Sequence, residues 1–539
     1  MFTLLLFAFA GLVLTLSTSV FFYYQKSNSL ANIRGPLSTS WLYGNMREFS
    51  LGEYGVRAFQ WQKLYGTVYK LMNCFGERRL VVADQKALQF VLGNPQLFPR
   101  APEHKELARI LMGQGIFWAE GPDHKRHRTV MQPSFAASQL KALFPCFQET
   151  ARMLASQLQN KFSTNEENVV EDVCPWLHKA ALDIIGTAAF GHPFNSLLSD
   201  ENAVARSYHN LLADSMTRGP LSIVVDAILQ YMPVTLLRLF DKLPTKAMRK
   251  LRTNRALTLG LAKDLVERKL EVLKGGMESE KDVLSQIVHA NVSQDPQTKM
   301  TPVEVYSQVS TIMLAGEETV ANTAIWALYE LAQDPELQDK VREEIRETYA
   351  AAHARGDTDL CATDLDNMPL TTAVMKETLR FHPALPMSLR KAAEDSIVPL
   401  AQSITTVSGE VVNEISIPAD TIVIANSAGY NRLESVWGPD AHLFNISRWA
   451  KERKISHDAT LGMYANLATF LSGPRGCIGY RFALIEFQMF LIELLKTFRF
   501  SIPPGIRIKR ELALVTIPVV DGDPTRSQRM PLQLSLVEE

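Results

Sequence analysis

Phe470-Leu-Ser-Gly-Pro-Arg-Gly-Cys-Ile-Gly479 runs directly into a strongly apolar stretch, Tyr480-Arg-Phe-Ala-Leu-Ile-Glu-Phe-Gln-Met-Phe-Leu-Ile492. Gly473, Gly476 and Gly479 allow backbone angles that other residues resist, and they let the chain pass close to something large and flat. Cys477 lies just ahead of an expected helix N-terminus, where the positive end of the helix dipole favours a thiolate. Backbone N–H groups at that terminus can point at the sulfur and moderate its charge. Such a thiolate is suited to act as an axial ligand for haem iron, pushing electron density toward O–O cleavage. The other use of a lone Cys in this setting is as a small buried hydrophobe.

The ten residues match the haem-binding loop of the cytochrome P-450 family, Phe-x-x-Gly-x-Arg-x-Cys-x-Gly, at every fixed position. The sequence therefore resembles a membrane-anchored eukaryotic member of that family, with a fungal-like character. The resemblance implies a mainly α fold with a small β-rich lobe and haem b held by the thiolate of Cys477. It also implies contacts to the cofactor from Phe470, Arg475 and Gly479 in the loop.

Three further segments carry the resemblance. In Gly121-Pro-Asp-His-Lys-Arg-His-Arg128 the family commonly has Trp-x-x-x-Arg, both donating to a haem propionate; here the pair is His124 and Arg128. A spacing of four keeps them on one helical face, and a His ring nitrogen can still donate. Lys125 and Arg126 read as a basic surface for an acidic electron donor. Thr301-Pro-Val-Glu304 is a capping box with Pro at the first helical position, so a helix is expected to run to about Ala332, with Asp334-Pro335 opening another. Near its centre stands Ala315-Gly-Glu-Glu-Thr319. An interior Gly costs about 1 kcal/mol against Ala, so Gly316 needs a reason, such as room for oxygen. Splitting dioxygen consumes two protons, which an acid–alcohol pair, Glu318 and Thr319, could deliver from solvent. Val320 stands where the family usually has a second hydroxyl. The last segment, Glu377-Thr-Leu-Arg380, resembles half of a buried network that Arg448, in Phe444-Asn-Ile-Ser-Arg448-Trp449, would complete. By the same resemblance Arg390 reaches a propionate, and Asp420, where the family turn normally has Gly, is expected to hold an unusual turn angle.

The whole chain fits this reading. It has 539 residues, 46% hydrophobic and 21% charged, with a formal net charge of −1, so nothing in its charge suggests nucleic acid as a partner. The five Cys are scattered and form no C-x-x-C pair, against a zinc site or a disulfide framework. Residues 2–25 carry no charge and are long enough to span a bilayer, with Phe21 to Tyr24 as an interfacial belt. A cleaved signal peptide is the rival, but no basic n-region precedes the run. Lys26 and Arg34 follow it, which places the bulk of the chain on the cytosolic side of the endoplasmic reticulum membrane. The expected divisions are an anchor at 1–25, a Pro/Gly linker at 26–45 and a catalytic domain at 46–539. Short strands are expected at 68–72 and 79–82, and interrupted apolar helices between 205 and 245, broken by Pro220, Pro233 and Pro244.

By resemblance the activity is monooxygenation of a lipophilic small molecule by O2, with electrons from NADPH through a separate cytochrome P-450 reductase. The substrate could be a terpenoid, fatty acid or polycyclic aromatic, in secondary metabolism or xenobiotic oxidation. Phe117, Met313 to Ala315, Leu385, Met387, Leu389, Thr516 and Ile517 would line its pocket. Two other classes compete: an isomerase or dehydratase on the same fold, and a non-catalytic haem sensor. Glu318-Thr319 argues against the first, and the small Ala315-Gly316 against the second.

Overall fold

The computed structural model describes residues 27–162, 167–216, 219–275, 282–292, 298–450 and 461–537. The expected anchor lies outside the described residues, and among these no helix is long and apolar enough to cross a membrane. The principal helices are α1 (Gly121–Met131), α2 (Ala137–Gln159), α3 (Val173–Phe190), α4 (Pro220–Leu229), α5 (Lys246–Lys274), α6 (Pro302–Gln333), α7 (Pro335–Ala354), α8 (Pro369–Phe381) and α9 (Tyr480–Thr497). The strands are β1 (Val68–Met72), β2 (Arg78–Val82), β3 (Asn168–Asp172), β4 (Ser388–Lys391), β5 (Ser396–Thr405), β6 (Val411–Ile417), β7 (Ile422–Ala425), β8 (Phe498–Ser501), β9 (Ile508–Ala513), β10 (Val515–Val520) and β11 (Pro531–Leu536).

Helix dominates, as expected. α6 is the axis of the fold because its apolar residues go nearly all the way round: Val309, Ile312, Met313, Ala321, Ala324, Ile325 and Leu328 are all buried. A helix apolar on every face must be surrounded by protein. α3, α5 and α9 pack on it, and α2 lies against α3 and α9. Its start is the capping box read from sequence: Thr301 Oγ1 accepts from Glu304 N, and Glu304 Oε2 accepts from Thr301 N at 2.7 Å. Asp334 ends α6 and caps α7, accepting from Leu337 N.

The strands form small sheets to one side. The largest has the order β1-β2-β7-β4, with β2 and β7 parallel. A second has the order β3-β11-β8, and β5-β6 and β9-β10 are hairpins. The turn before β7 has the expected unusual angle, with Asp420 at φ +69°. The expected linker, residues 27–45 of it described, makes some contacts with the body of the fold. Leu30 and Ile33 are buried, Lys70 N donates to Arg34 O, and Val407 N donates to Asn32 O.

Glu377, Arg380 and Arg448 come together in the core, all with fully buried side chains. Arg380 grips Glu377 with two parallel bonds of 2.9 and 2.7 Å. The same carboxylate accepts from Asn445 N and Trp449 Nε1, and Arg448 Nε lies 3.5 Å away. Arg380 also donates to the carbonyls of Asn431, Ala441 and Leu443, which ties α8 to the segment before the Cys loop. Ile446 and Ser447, the departures from the family segment, sit in one short 3-10 turn that still delivers Arg448.

Candidate active site

The Cys loop closes on itself. Cys477 N donates to Phe470 O at 2.9 Å, and Gly476 N donates to Gly473 O at 3.0 Å. Of the loop's three glycines, Gly473 alone has a positive φ, at +67°, and a Cβ there would also strike Leu92 O at 2.7 Å. Gly476 leaves room for the Met463 sulfur, 2.3 Å from where a Cβ would be. At Gly479 a Cβ would meet only Phe135, at an ordinary 3.6 Å, so packing within the chain does not require glycine there.

Gly479 caps α9, and its N–H points back at the Cys477 sulfur. Burial pushes the Cys477 thiol up, while that N–H and the nearby Arg128 guanidinium pull it down. Cys477 is enclosed in this way and yet has exposed surface, so it borders an internal space. The middle of α6 does the same. Ala315 is exposed and Gly316 and Thr319 are half-buried, between neighbours that are fully covered.

A cluster of cations lies beside the loop. Arg128 Nη1 donates to Gly476 O at 2.7 Å, fixing α1 to the Cys loop. Burial first, and repulsion from Arg475 next, lower Arg390 to about 10. Arg100, which sequence reasoning missed, is a third member; burial and its two Arg neighbours depress it strongly. Its guanidinium stacks on Phe117 at 3.9 Å. Arg100 Nη1, Arg475 Nη1 and Trp118 Nε1 are buried donors without a partner among the described residues. Glu120 is the nearby acid, 3.9 Å from Arg475, and it is shared with Lys105. His124 is buried among Arg475, Arg128 and Arg100 and is held neutral, pushed down to about 3 by burial first and by those cations next. Buried guanidiniums of like charge with unused N–H groups call for an anion with several oxygens. A flat cofactor carrying two carboxylates fits this donor set and the space beside Cys477.

Several expectations are corrected. Gly316 does not primarily make room in the pocket: a Cβ there would lie 2.3 Å from Ile185 Cδ1, so its missing side chain lets α3 pack close on α6. Gly316→Val is therefore expected to overpack that contact and cost roughly 1–3 kcal/mol. Thermal unfolding of G316V alone and with I185A checks this, with the second change restoring most of the loss. Glu318 does not face solvent. It is buried, its Oε2 lies 3.4 Å from Asn322 Nδ2, and burial and the neighbouring Glu317 push it up to about 8. Thr319 Oγ1 has not left the helix ladder; it donates to Ala315 O at 2.6 Å. Arg126 is not a free surface cation, because Glu304 holds it at 2.6 Å. Met313, Leu314, Thr516 and Ile517 are core, with Thr516 Oγ1 donating to Pro383 O. Phe117, Leu385, Met387 and Leu389 remain partly open.

The donor set and the enclosed Cys477 together fit a flat anionic cofactor held beside a cysteine. The chain belongs to the cytochrome P-450 family, whose profile matches residues 34–520. It is 30% identical over 518 residues to cytochrome P-450 monooxygenase claO of Ampulloclitocybe clavipes, covering 94% of this chain and 93% of the relative. Cytochrome P-450 monooxygenase 205 of Postia placenta is also 30% identical, over 519 residues, with the same coverage. The protein is a cytochrome P-450 monooxygenase.

Proposed function

We propose that the chain binds haem b through the Cys477 thiolate and oxidises a lipophilic molecule by hydroxylation or epoxidation. The observation that carries the reading is the pairing of an enclosed, space-facing Cys477 with the partnerless buried N–H groups of Arg100 and Arg475. Arg100, Arg128, Arg390 and Arg475, with neutral His124, would hold the two propionates, and Phe470 closes the loop through its carbonyl. Bound there, a thiolate-ligated haem supplies the electron transfer and O–O cleavage. The residues of the chain do the rest. The half-open apolar side chains of Phe117, Leu385, Met387 and Leu389 exclude water and favour an apolar substrate. Glu318 holds a proton near neutral pH, and Thr319 presents its hydroxyl to the pocket side of α6. Family membership supports electrons from NADPH through a separate reductase. The reading extends to a role in secondary metabolism or xenobiotic oxidation.

The reading includes a membrane anchor at 1–25 ahead of a cytosolic domain on the endoplasmic reticulum. Exposed apolar groups favour a lipid-facing side: Leu37 and Trp41 follow the anchor, and Leu221 projects from α4. These segments are neighbours, because Phe75 N donates to Trp41 O and the adjacent Cys74 Sγ donates to Ile223 O.

Substitution of Arg100 tests the anion cradle. Arg100→Met keeps an unbranched apolar side chain and removes the charge together with the guanidinium that stacks on Phe117. It is expected to weaken haem retention by about tenfold, since a hydrogen bond to a charged group is worth roughly 1.5–3 kcal/mol. The rate of haem transfer to apomyoglobin measures this; an unchanged rate contradicts the assignment.

A further inference from the structure

α6 carries two adjacent acids, Glu317 and Glu318, and only Glu318 is accounted for above. Glu317 is buried, and its Oε1 lies 2.5 Å from Nδ1 of His178 on α3. Its other oxygen is buried without a partner. One donor atom each from His178, Glu317 and Glu318 lies within 4.8 Å of the others. His178 is the outward member, its side chain 14% exposed against 2% for Glu317. Gln528 Nε2 bridges His178 Nε2 and Asn322 Oδ1 at 2.8 Å each, and Asn322 is the residue beside the Glu318 carboxylate.

We propose that His178 and Glu317 form a proton line that refills Glu318 from solvent. The proposal rests on the reading of Glu318 as a proton source, and it supplies what the burial of Glu318 lacks, a route to water. The transfers balance without a redox partner. After Glu318 gives up its proton toward the pocket, the Glu317 carboxyl donates one to the Glu318 carboxylate. His178, neutral with its proton on Nδ1, then takes a proton from water at Nε2 and passes the Nδ1 proton to Glu317, which leaves a neutral ring protonated on Nε2. A half-turn of the Gln528 amide exchanges its nitrogen for its oxygen, so the same contact holds the ring with Nε2 protonated. Each turnover moves one proton in and one out, and the buried charge is unchanged at the end.

The surroundings keep the acids protonated and the resting His178 ring neutral. Burial pushes Glu317 well up and His178 down, while Glu318 and Asp172 pull His178 up. Glu486 on α9, whose two oxygens are partnerless, faces Glu317 and is itself raised by burial and by that neighbour. Tyr208 lies near both α6 acids, Lys250 near Glu318, and His209 near His178. These groups set the pH at which the line works but do not bridge its three members.

The test uses full-length, haem-loaded protein with reductase and NADPH, after an intact reduced carbon monoxide spectrum has been verified for each variant. E317Q and H178Q are expected to divert reducing equivalents to hydrogen peroxide by about tenfold and to raise the solvent deuterium isotope effect on NADPH oxidation, with E318Q doing the same. H178K, which restores a titratable group, is expected to recover much of the loss. Infrared difference spectra of the purified protein give an independent readout. The protonated-carboxyl band lost in E317Q is expected to shift its pH midpoint in H178Q. An effect in E318Q without one in E317Q or H178Q overturns this proposal alone; no effect in any of the three overturns the reading of Glu318 as well. A stoichiometric divalent metal other than haem iron also overturns it, by making the cluster a metal site.

Discussion

Cys477→Ser is expected to abolish monooxygenase turnover while leaving the fold in place. The loop does not depend on the sulfur for its shape. It is closed by main-chain bonds from Cys477 N to Phe470 O and from Gly476 N to Gly473 O, and by Arg128 on Gly476 O. A serine hydroxyl accepts the Gly479 N–H as the sulfur does, so packing is preserved. What disappears is a group that can ionise: the thiol has an accessible pKa and a thiolate donates electron density, whereas an alcohol does neither at neutral pH. Product formation in the reconstituted reductase system should fall below detection, with far-ultraviolet circular dichroism unchanged. Turnover within a fewfold of wild type would mean that another residue serves as the ligand.

Glu377→Ala is expected to be the most destabilising single substitution in the core. The Glu377 carboxylate takes both bonds from Arg380, one from Asn445 N and one from Trp449 Nε1, and lies beside Arg448. Removing it leaves the fully buried Arg380 guanidinium without its counter-charge, while Arg448 keeps Asp440 at 3.0 Å, a change that costs roughly 3–5 kcal/mol. The damage is not confined to α8, because Arg380 also holds the carbonyls of Asn431, Ala441 and Leu443. Urea unfolding followed by tryptophan fluorescence measures it. A loss below about 1 kcal/mol, the size of an exposed ion pair, would contradict the buried-network account.

The parts legible in sequence were those written locally. The α6 boundaries follow from the Thr301–Glu304 box and the Asp334-Pro335 restart, and both appear as bonds. The Cys loop and the Glu377–Arg380–Arg448 set were legible because motif spacing carries them. What sequence did not reveal depends on contacts across the chain. Arg100 sits in Phe98-Pro-Arg-Ala101 with no periodic signal, and it joins the cluster through a main-chain bond: Lys391 N donates to Pro99 O, setting Arg100 beside Arg390. Gly316 was assigned to the pocket because its real neighbour, Ile185, lies over a hundred residues away on α3. Glu318 reads as an acid open to solvent because the helix pattern alone cannot show that α3 covers it.

The central claim is that Cys477 supplies a thiolate to haem iron. The most direct measurement is the absorption spectrum of the dithionite-reduced protein with and without carbon monoxide. A strongly red-shifted Soret band in the wild type, absent in C477S, is the predicted result. A Soret band at the unshifted position in freshly folded wild-type protein, or no haem band at all, would contradict it.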